Sequence, residues 1–250
     1  MSPMVWFQEY LRAEKPGGKW DARADLALRI CMRSADDEAL AQYVIDCADA
    51  FIREDVCVPG NAKALFFALE KTGDEKYGQA IQRVMAQLDA QPEAADAPLS
   101  ALYETLPFRM TYEMKLNRME RVGQTAAMFR AAHQRCKAMV GNALREEAWF
   151  LLALTDGIAV CTEQLYEHWR ALVDIYRERL KQVLGMLSEA DPHTLAIVLW
   201  ALLSGVQLGI IDPERYLPVA VKALSELRAC GEDQAAEMLE EVYEVSACLK

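Results

Sequence analysis

The sequence predicts an all-helical protein, and three observations support this fold class. The alternation of apolar and polar residues that is typical of strands is almost absent. Apolar residues instead recur at helical spacing, as in the stripe formed by Leu40, Tyr43, Val44 and Cys47. Turn-forming residues interrupt these stripes at regular intervals. The spacing of the interruptions predicts about twelve helices of roughly 12–24 residues, joined by short loops.

Several of the interruptions have the chemistry of helix ends. Residues 191–192 and 212–213 are both Asp-Pro, which places a capping carboxylate before a proline at the first helical position. Gly73 suits the left-handed residue that ends a helix, and Asp74 suits the cap that begins the next one. The other predicted breaks are at residues 15–18, 34–37, 58–60, 91–98, 117–118, 140–142, 161–162 and 230–231.

The short loops predict how the helices are arranged. Consecutive helices joined by short loops lie antiparallel, so the expected unit is a helical hairpin that is repeated about six times. Such a row forms either an open superhelix or a closed ring. The absence of a helical-repeat consensus favours the ring. No linker interrupts the pattern, so we predict a single domain over residues 1–250.

The composition excludes several classes of function. The net charge of −11 disfavours nucleic acids and anionic membranes as partners, because both require a cationic surface. No apolar segment approaches the roughly 20 residues that a membrane span needs, and the N-terminal residues lack the pattern of a signal peptide. The seven cysteines are scattered without a C-x-x-C pair, which predicts neither a zinc site nor disulfides. We therefore expect a cytoplasmic protein without a metal or cofactor.

Four segments resemble the unsaturated glucuronyl and rhamnogalacturonyl hydrolases of glycoside hydrolase families 88 and 105. They are residues 64–77 (ALFFALEKTGDEKY), 102–108 (LYETLPF), 149–156 (WFLLALTD) and 205–212 (GVQLGIID), in the order in which the families carry them. The resemblance spans most of the chain. It implies an (α/α)6 barrel of six inner and six outer helices with the active site at one mouth, which agrees with the helix count.

The resemblance also identifies positions where the catalytic acids are absent. These hydrolases hydrate a 4,5-unsaturated uronic acid and need a carboxylic acid to protonate its vinyl ether. The principal aspartate of the family corresponds to Ser100, and the second corresponds to Val58 in the stretch 57–62 (CVPGNA). A serine hydroxyl does not supply a proton at neutral pH. Both expected acids are therefore missing, and the sequence predicts a non-catalytic relative.

Three other carboxylates are candidates for a relocated acid. Glu104 lies one helical turn after Ser100, and Glu146 and Glu147 lie where the family has a turn near its mouth. A shift by one turn moves a carboxylate by roughly 5–6 Å, whereas a general acid must lie within about 3 Å of the atom it protonates. The competing interpretation is that these side chains are solvated charges at helix ends.

The remaining site candidates are aromatic and polar side chains. In the family motif Arg-Gly-Asn-Gly-Trp, the present sequence retains only Arg145 and Trp149, and the later Ser-Ser-Gly segment corresponds to residues 192–194 (PHT). The predicted substrate-binding residues are Trp20, Tyr103, Arg145, Trp149 and His193. Aromatic residues at helical spacing are also common in hydrophobic cores, and a histidine in the first turn of a helix is often merely exposed. His133 and His168 lie in no pattern of metal ligands.

Three hypotheses for function follow from the sequence. The first is a non-catalytic, hydrolase-like protein of carbohydrate metabolism with a carbohydrate-binding or assembly role, whose partner is an oligosaccharide or a uronic-acid sugar. The second is an active unsaturated glycuronyl hydrolase with a relocated acid such as Glu104. The third is a helical-repeat scaffold for protein interactions. The fold by itself does not choose among these functions, and the sequence leaves a homo-oligomer open.

Overall fold

The structure, a computed structural model, describes residues 38–90, 97–138, 144–161, 165–231 and 236. The regular structure in these residues is helical. The helices are α1 (Glu38–Arg53), α2 (Ala62–Thr72), α3 (Glu75–Ala90), α4 (Leu99–Lys115), α5 (Val122–Ala138), α6 (Leu144–Val160), α7 (Tyr166–Gly185), α8 (Pro192–Gln207) and α9 (Pro213–Ala229), with a 3-10 turn at Leu187–Glu189. The predicted all-helical fold is confirmed for this part of the chain. The count of about twelve helices stays a prediction, because residues 1–37 lie outside the described residues.

The chain divides into two compact units, Met1–Ala95 and Asp96–Lys250. In the first unit, α2 packs against both α1 and α3. Its central residues, from Ala64 to Ala68, are buried. Asp49 on α1 accepts a hydrogen bond from the Tyr77 hydroxyl of α3 (2.8 Å) and forms an ion pair with Lys76 (2.7 Å). In this unit, α1 and α3 are thus joined by polar contacts, and each also packs against the apolar residues of α2.

The second unit contains a row of three helices, α4, α6 and α8, in which α6 packs against both others. Eleven of the 17 residues of α6 and eleven of the 16 residues of α8 are buried, including the unbroken runs 150–155 and 197–205. Helices that are apolar on all sides lie inside a protein, whereas α7 and α9 have one apolar face and one exposed face. Helix α5 packs against α4 and α7, and α9 packs against α8. The unit therefore has an inner row and an outer row of helices.

The predicted helix ends in the described residues are confirmed. Asp191 accepts a hydrogen bond from the backbone amide of Thr194 (3.0 Å), and Asp212 accepts one from the amide of Glu214 (3.0 Å). Gly73 ends α2 with a φ of 70°, a left-handed conformation that glycine adopts without strain. No helix in the described ranges is both long enough and apolar enough to cross a membrane.

The loop between α4 and α5 is held by a buried carboxylate. Glu113 is 1% exposed and accepts hydrogen bonds from the Asn117 side chain (2.8 Å), the Arg121 amide (2.8 Å) and Arg121 Nε (3.1 Å). Arg118 and Met119 within this loop have positive φ angles of 53° and 65°, a conformation that costs energy in residues other than glycine. The contacts of Glu113 offset that cost and fix the path of the chain.

Candidate functional site

The first turns of α4, α6 and α8 lie together, and a serine and a glutamate join two of them. The amide of Ser100 donates to Glu146 Oε2 (3.0 Å), and its hydroxyl lies 3.2 and 3.3 Å from the two carboxylate oxygens. Helix α4 begins after Pro98, whose side chain offers no cap. The amides of a first helical turn need acceptors from outside the helix. Glu146 therefore caps α4 from the neighbouring helix.

Three rings line the same helix ends. Trp149 of α6 lies 4.9 Å from Tyr103 of α4 and 6.1 Å from His193 of α8, measured between ring centroids. Tyr103 is 6% exposed, Trp149 is half-buried and His193 is exposed. The rings thus run from the core to the surface. Rings arranged in this way offer apolar faces beside polar edges, which is how proteins hold sugars and other flat polar ligands.

A charged pair lies at the edge of the rings. Hydrogen bonds from the hydroxyl and amide of Thr194 lower the pKa of Asp191, and the positive charge of Arg145 lowers it further. Arg145 and Asp191 are both exposed. The site is therefore bordered by a guanidinium and a carboxylate that attract each other, beside the carboxylate that Ser100 holds.

The structure brings together four of the five predicted binding residues. Tyr103, Arg145, Trp149 and His193 lie on the first two turns of α4, α6 and α8, whereas Trp20 lies outside the described residues. Their part in binding stays a prediction. Glu104 is half-buried on α4, one turn after Ser100.

Val58, where the sequence predicts the position of the second family acid, lies in the first unit. Val58 is 40% exposed in the loop before α2. Its amide donates to Asn61 Oδ1 (3.0 Å), and Asn61 Nδ2 donates to the Val56 carbonyl (2.8 Å). Asn61 is 4% exposed. Both ends of its amide group are therefore used to hold the loop.

Glu147, the neighbour of Glu146, points into the interior of the second unit. It is 4% exposed and lies 3.7 Å from Nη1 of Arg179 on α7, which is 1% exposed. Burial raises the pKa of Glu147, and the charge of Arg179 offsets part of the shift. The guanidinium also contacts Glu178 (3.1 Å).

Side chains of α5 complete this buried cluster. Burial lowers the pKa of His133, whose Nε2 lies 3.4 Å from Glu178. Burial also raises the pKa of the Cys136 thiol to about 12, so this thiol is not a nucleophile at neutral pH. Among the described residues, no group of three or more His, Cys, Asp and Glu side chains is placed to hold a metal ion.

Comparison with known proteins gives one informative result. No protein-family model matches the sequence, and no curated protein matches it. The structure is similar to that of a glycoside hydrolase from family 105 of C. acetobutylicum ATCC 824, with a TM-score of 0.70. The match covers 89% of this chain and 81% of the hydrolase at 18% sequence identity.

The chain has the fold of this hydrolase. At 18% identity, the similarity establishes the fold alone and leaves the chemistry to the site. This result agrees with the resemblance to families 88 and 105 that the sequence indicated. The sequence pattern indicates Glu146 only as one of several acids and does not predict its contact with Ser100. The available signal was the absence of a capping side chain before Leu99, which requires an acceptor from elsewhere.

Proposed function

We propose that this protein is a non-catalytic, carbohydrate-binding relative of the glycoside hydrolases, with its site at the first turns of α4, α6 and α8. The observation that carries the proposal is the pair formed by Ser100 and Glu146. At the position of the family's principal acid stands a hydroxyl that is committed to a neighbouring carboxylate. A group in that state positions a helix and does not protonate a substrate.

The surroundings of the pair support binding. Trp149 and His193 present ring faces, and Arg145 and Asp191 present exposed hydrogen-bonding groups. The proposal also places the site at one mouth of a closed (α/α)6 barrel in a cytoplasmic protein of carbohydrate metabolism. The similarity to the family 105 structure supports that arrangement.

An active hydrolase is the second candidate, and a specific observation favours it. The Glu146 carboxylate lies 3.0–3.3 Å from the amide and hydroxyl of Ser100, close to where an aspartate at position 100 would place its own carboxylate. If the protein hydrolyses a glycoside, Glu146 is then a better acid candidate than Glu104, which lies one turn further along α4. The active-hydrolase candidate therefore makes Glu146 the essential acid in place of Glu104.

The test combines binding with turnover. The purified protein is incubated with unsaturated digalacturonate while the absorbance of the unsaturated ring is followed, and its melting temperature is measured with a panel of acidic, neutral and amino oligosaccharides. We expect no loss of absorbance and a rise in melting temperature with at least one sugar. A ligand at about 100 times its Kd stabilises the folded state by about 2.7 kcal/mol. Absence of binding to every sugar would overturn the proposal.

If turnover is observed, the protein is the active hydrolase of the second candidate function, and three variants then identify the acid. Glu146→Gln and Glu104→Gln each remove one carboxylate, and Glu167→Gln is the matched control in the first turn of α7. Turnover that Glu146→Gln abolishes and Glu167→Gln preserves establishes Glu146 as the relocated acid. We expect Ser100→Asp alone to restore no activity, because the position that corresponds to the second family acid, Val58, would still carry no carboxylate.

A further inference from the structure

The carboxylate at the centre of the proposed site has neutral partners. Glu146 accepts its hydrogen bonds from the amide and hydroxyl of Ser100. Within the described parts of the chain, no ion pair includes Glu146, although the buried Glu147 beside it is paired with Arg179. Hydrogen bonds from neutral groups stabilise a carboxylate without cancelling its charge. The half-buried Glu146 therefore projects a negative field over the neighbouring rings.

The nearby cation, Arg145, has a carboxylate of its own beside it. Its charge contributes to the lowered pKa of Asp191, and both side chains are exposed. The chain as a whole carries a net charge of −11. An acidic sugar at this site would meet the like charge of Glu146.

We propose that the sugar bound at this site carries an ammonium group in place of a carboxylate, and that Glu146 decides this preference. The inference rests on the proposed carbohydrate-binding function and specifies its ligand as an amino sugar. The apolar face of the pyranose packs on the exposed part of Trp149, which lies 4.9 Å from Tyr103 and 6.1 Å from His193. The ammonium group interacts with the Glu146 carboxylate, and electron-rich ring faces attract cations as well.

The test compares three ligands that differ in one substituent. The methyl glycosides of glucosamine, N-acetylglucosamine and glucuronic acid are titrated into the purified full-length protein by calorimetry, at slightly acidic pH so that the amine is charged. We expect glucosamine to bind about fivefold more tightly than N-acetylglucosamine, the upper range for an exposed ion pair, and glucuronic acid to bind most weakly. The preference should shrink as salt is added, because exposed charges are screened within about 8 Å at physiological ionic strength.

Variants assign the preference to one residue. Glu146→Gln keeps the shape of the side chain and should equalise the affinities for glucosamine and N-acetylglucosamine, whereas Glu146→Asp should retain a preference for glucosamine. Glu167→Gln removes the same charge from the first turn of α7 and should leave the ratio unchanged. A preference that survives Glu146→Gln overturns the role of Glu146.

Two further outcomes separate the inference from the proposed function. Glucuronic acid binding as tightly as glucosamine overturns the inference and leaves carbohydrate binding intact. If none of the three glycosides and no other sugar binds, both fail. If Glu146→Gln does not fold, the salt dependence of the natural protein decides, because a preference for glucosamine that is insensitive to salt contradicts an electrostatic origin.

Discussion

Two adjacent glutamates in the first turn of α6 have different environments. Successive residues of a helix point about 100° apart. Glu146 is therefore directed toward α4, where it caps the helix through Ser100, and Glu147 is directed toward α7, where it meets Arg179. One carboxylate is half-buried among neutral donors, and the other is 4% exposed beside a buried guanidinium. The same side chain thus contributes to the site in one position and to the interior in the next.

The burial of Glu147 predicts an unusual dependence of stability on pH. Its pKa in the folded protein is raised by burial, whereas that of a glutamate in an unfolded chain is about 4.3. The folded state then binds the proton more tightly than the unfolded state does. The free energy of unfolding therefore decreases as pH rises from the pKa of Glu147 in the unfolded chain to its pKa in the folded protein. We expect Glu147→Gln, which does not ionise, to gain in unfolding free energy relative to the natural protein over that interval.

Urea denaturation at a series of pH values from acidic to neutral measures the effect. The control is Asp191→Asn, which should show the opposite trend, because the pKa of Asp191 is lowered in the folded state. The stability that Asp191 contributes is present above its unfolded pKa and is lost as pH falls through its folded pKa. A free-energy difference between Glu147→Gln and the natural protein that does not change with pH would contradict the prediction.

At the scale of the element, the packing of a tyrosine of α7 against α8 depends on a glycine. A Cβ atom added at Gly205 of α8 would lie 2.8 Å from Cζ of Tyr176 on α7 and closer still to its hydroxyl. Tyr176 is fully buried, and its hydroxyl donates to the Ala201 carbonyl (2.9 Å). The ring therefore has no free space in which to retreat. The glycine is required by packing, and its φ angle is not positive.

We expect Gly205→Ala to destabilise the protein by about 1–3 kcal/mol, the usual cost of overpacking a core. The change adds one methyl group and raises helix propensity, so a net loss must come from the contact with Tyr176. Thermal or urea unfolding of the purified variant measures it. The matched control is Gly185→Ala in α7, where an added Cβ meets no atom within 4 Å. That variant should be neutral or slightly more stable.

A second variant assigns the cost to the tyrosine. Tyr176→Phe removes the hydroxyl that the new Cβ would approach most closely. Combined with Gly205→Ala, it should cost less than the sum of the two single changes, because contacting residues are not additive. Strict additivity would show that the cost of the alanine arises elsewhere in α8.

At the scale of the whole molecule, the closed ring is the feature to test. The similarity to the family 105 structure covers 89% of the chain, and the sequence favours a ring over an open superhelix. A compact protein of this length has a radius of gyration of about 18 Å. We expect small-angle X-ray scattering of the monomer to give a value near this figure. A clearly larger radius with an elongated distance distribution would favour the open helical-repeat scaffold.

The helices were the most predictable part of this protein. Local chemistry is enough to end a helix, so the Asp-Pro pairs at 191–192 and 212–213 and the glycine at 73 marked boundaries that the structure confirms. The resemblance that four short segments carried pointed to the fold of a family 105 hydrolase, and the structure has that fold. Two prolines inside helices, Pro107 and Pro218, show the limit of such rules. Both α4 and α9 continue across their proline.

The sequence by itself determined the helical fold class, the chemistry of the helix ends and the absence of acids at Ser100 and Val58. Only the tertiary structure decided which partner each polar side chain has. Ser100 and Glu146 are 46 positions apart, and their contact exists because α4 and α6 lie side by side with their first turns level. Periodicity shows which face of a helix is apolar. It carries no information about which neighbour meets a given carboxylate, because that depends on helix rotation and packing, and so the sequence alone did not distinguish Glu146 from Glu147.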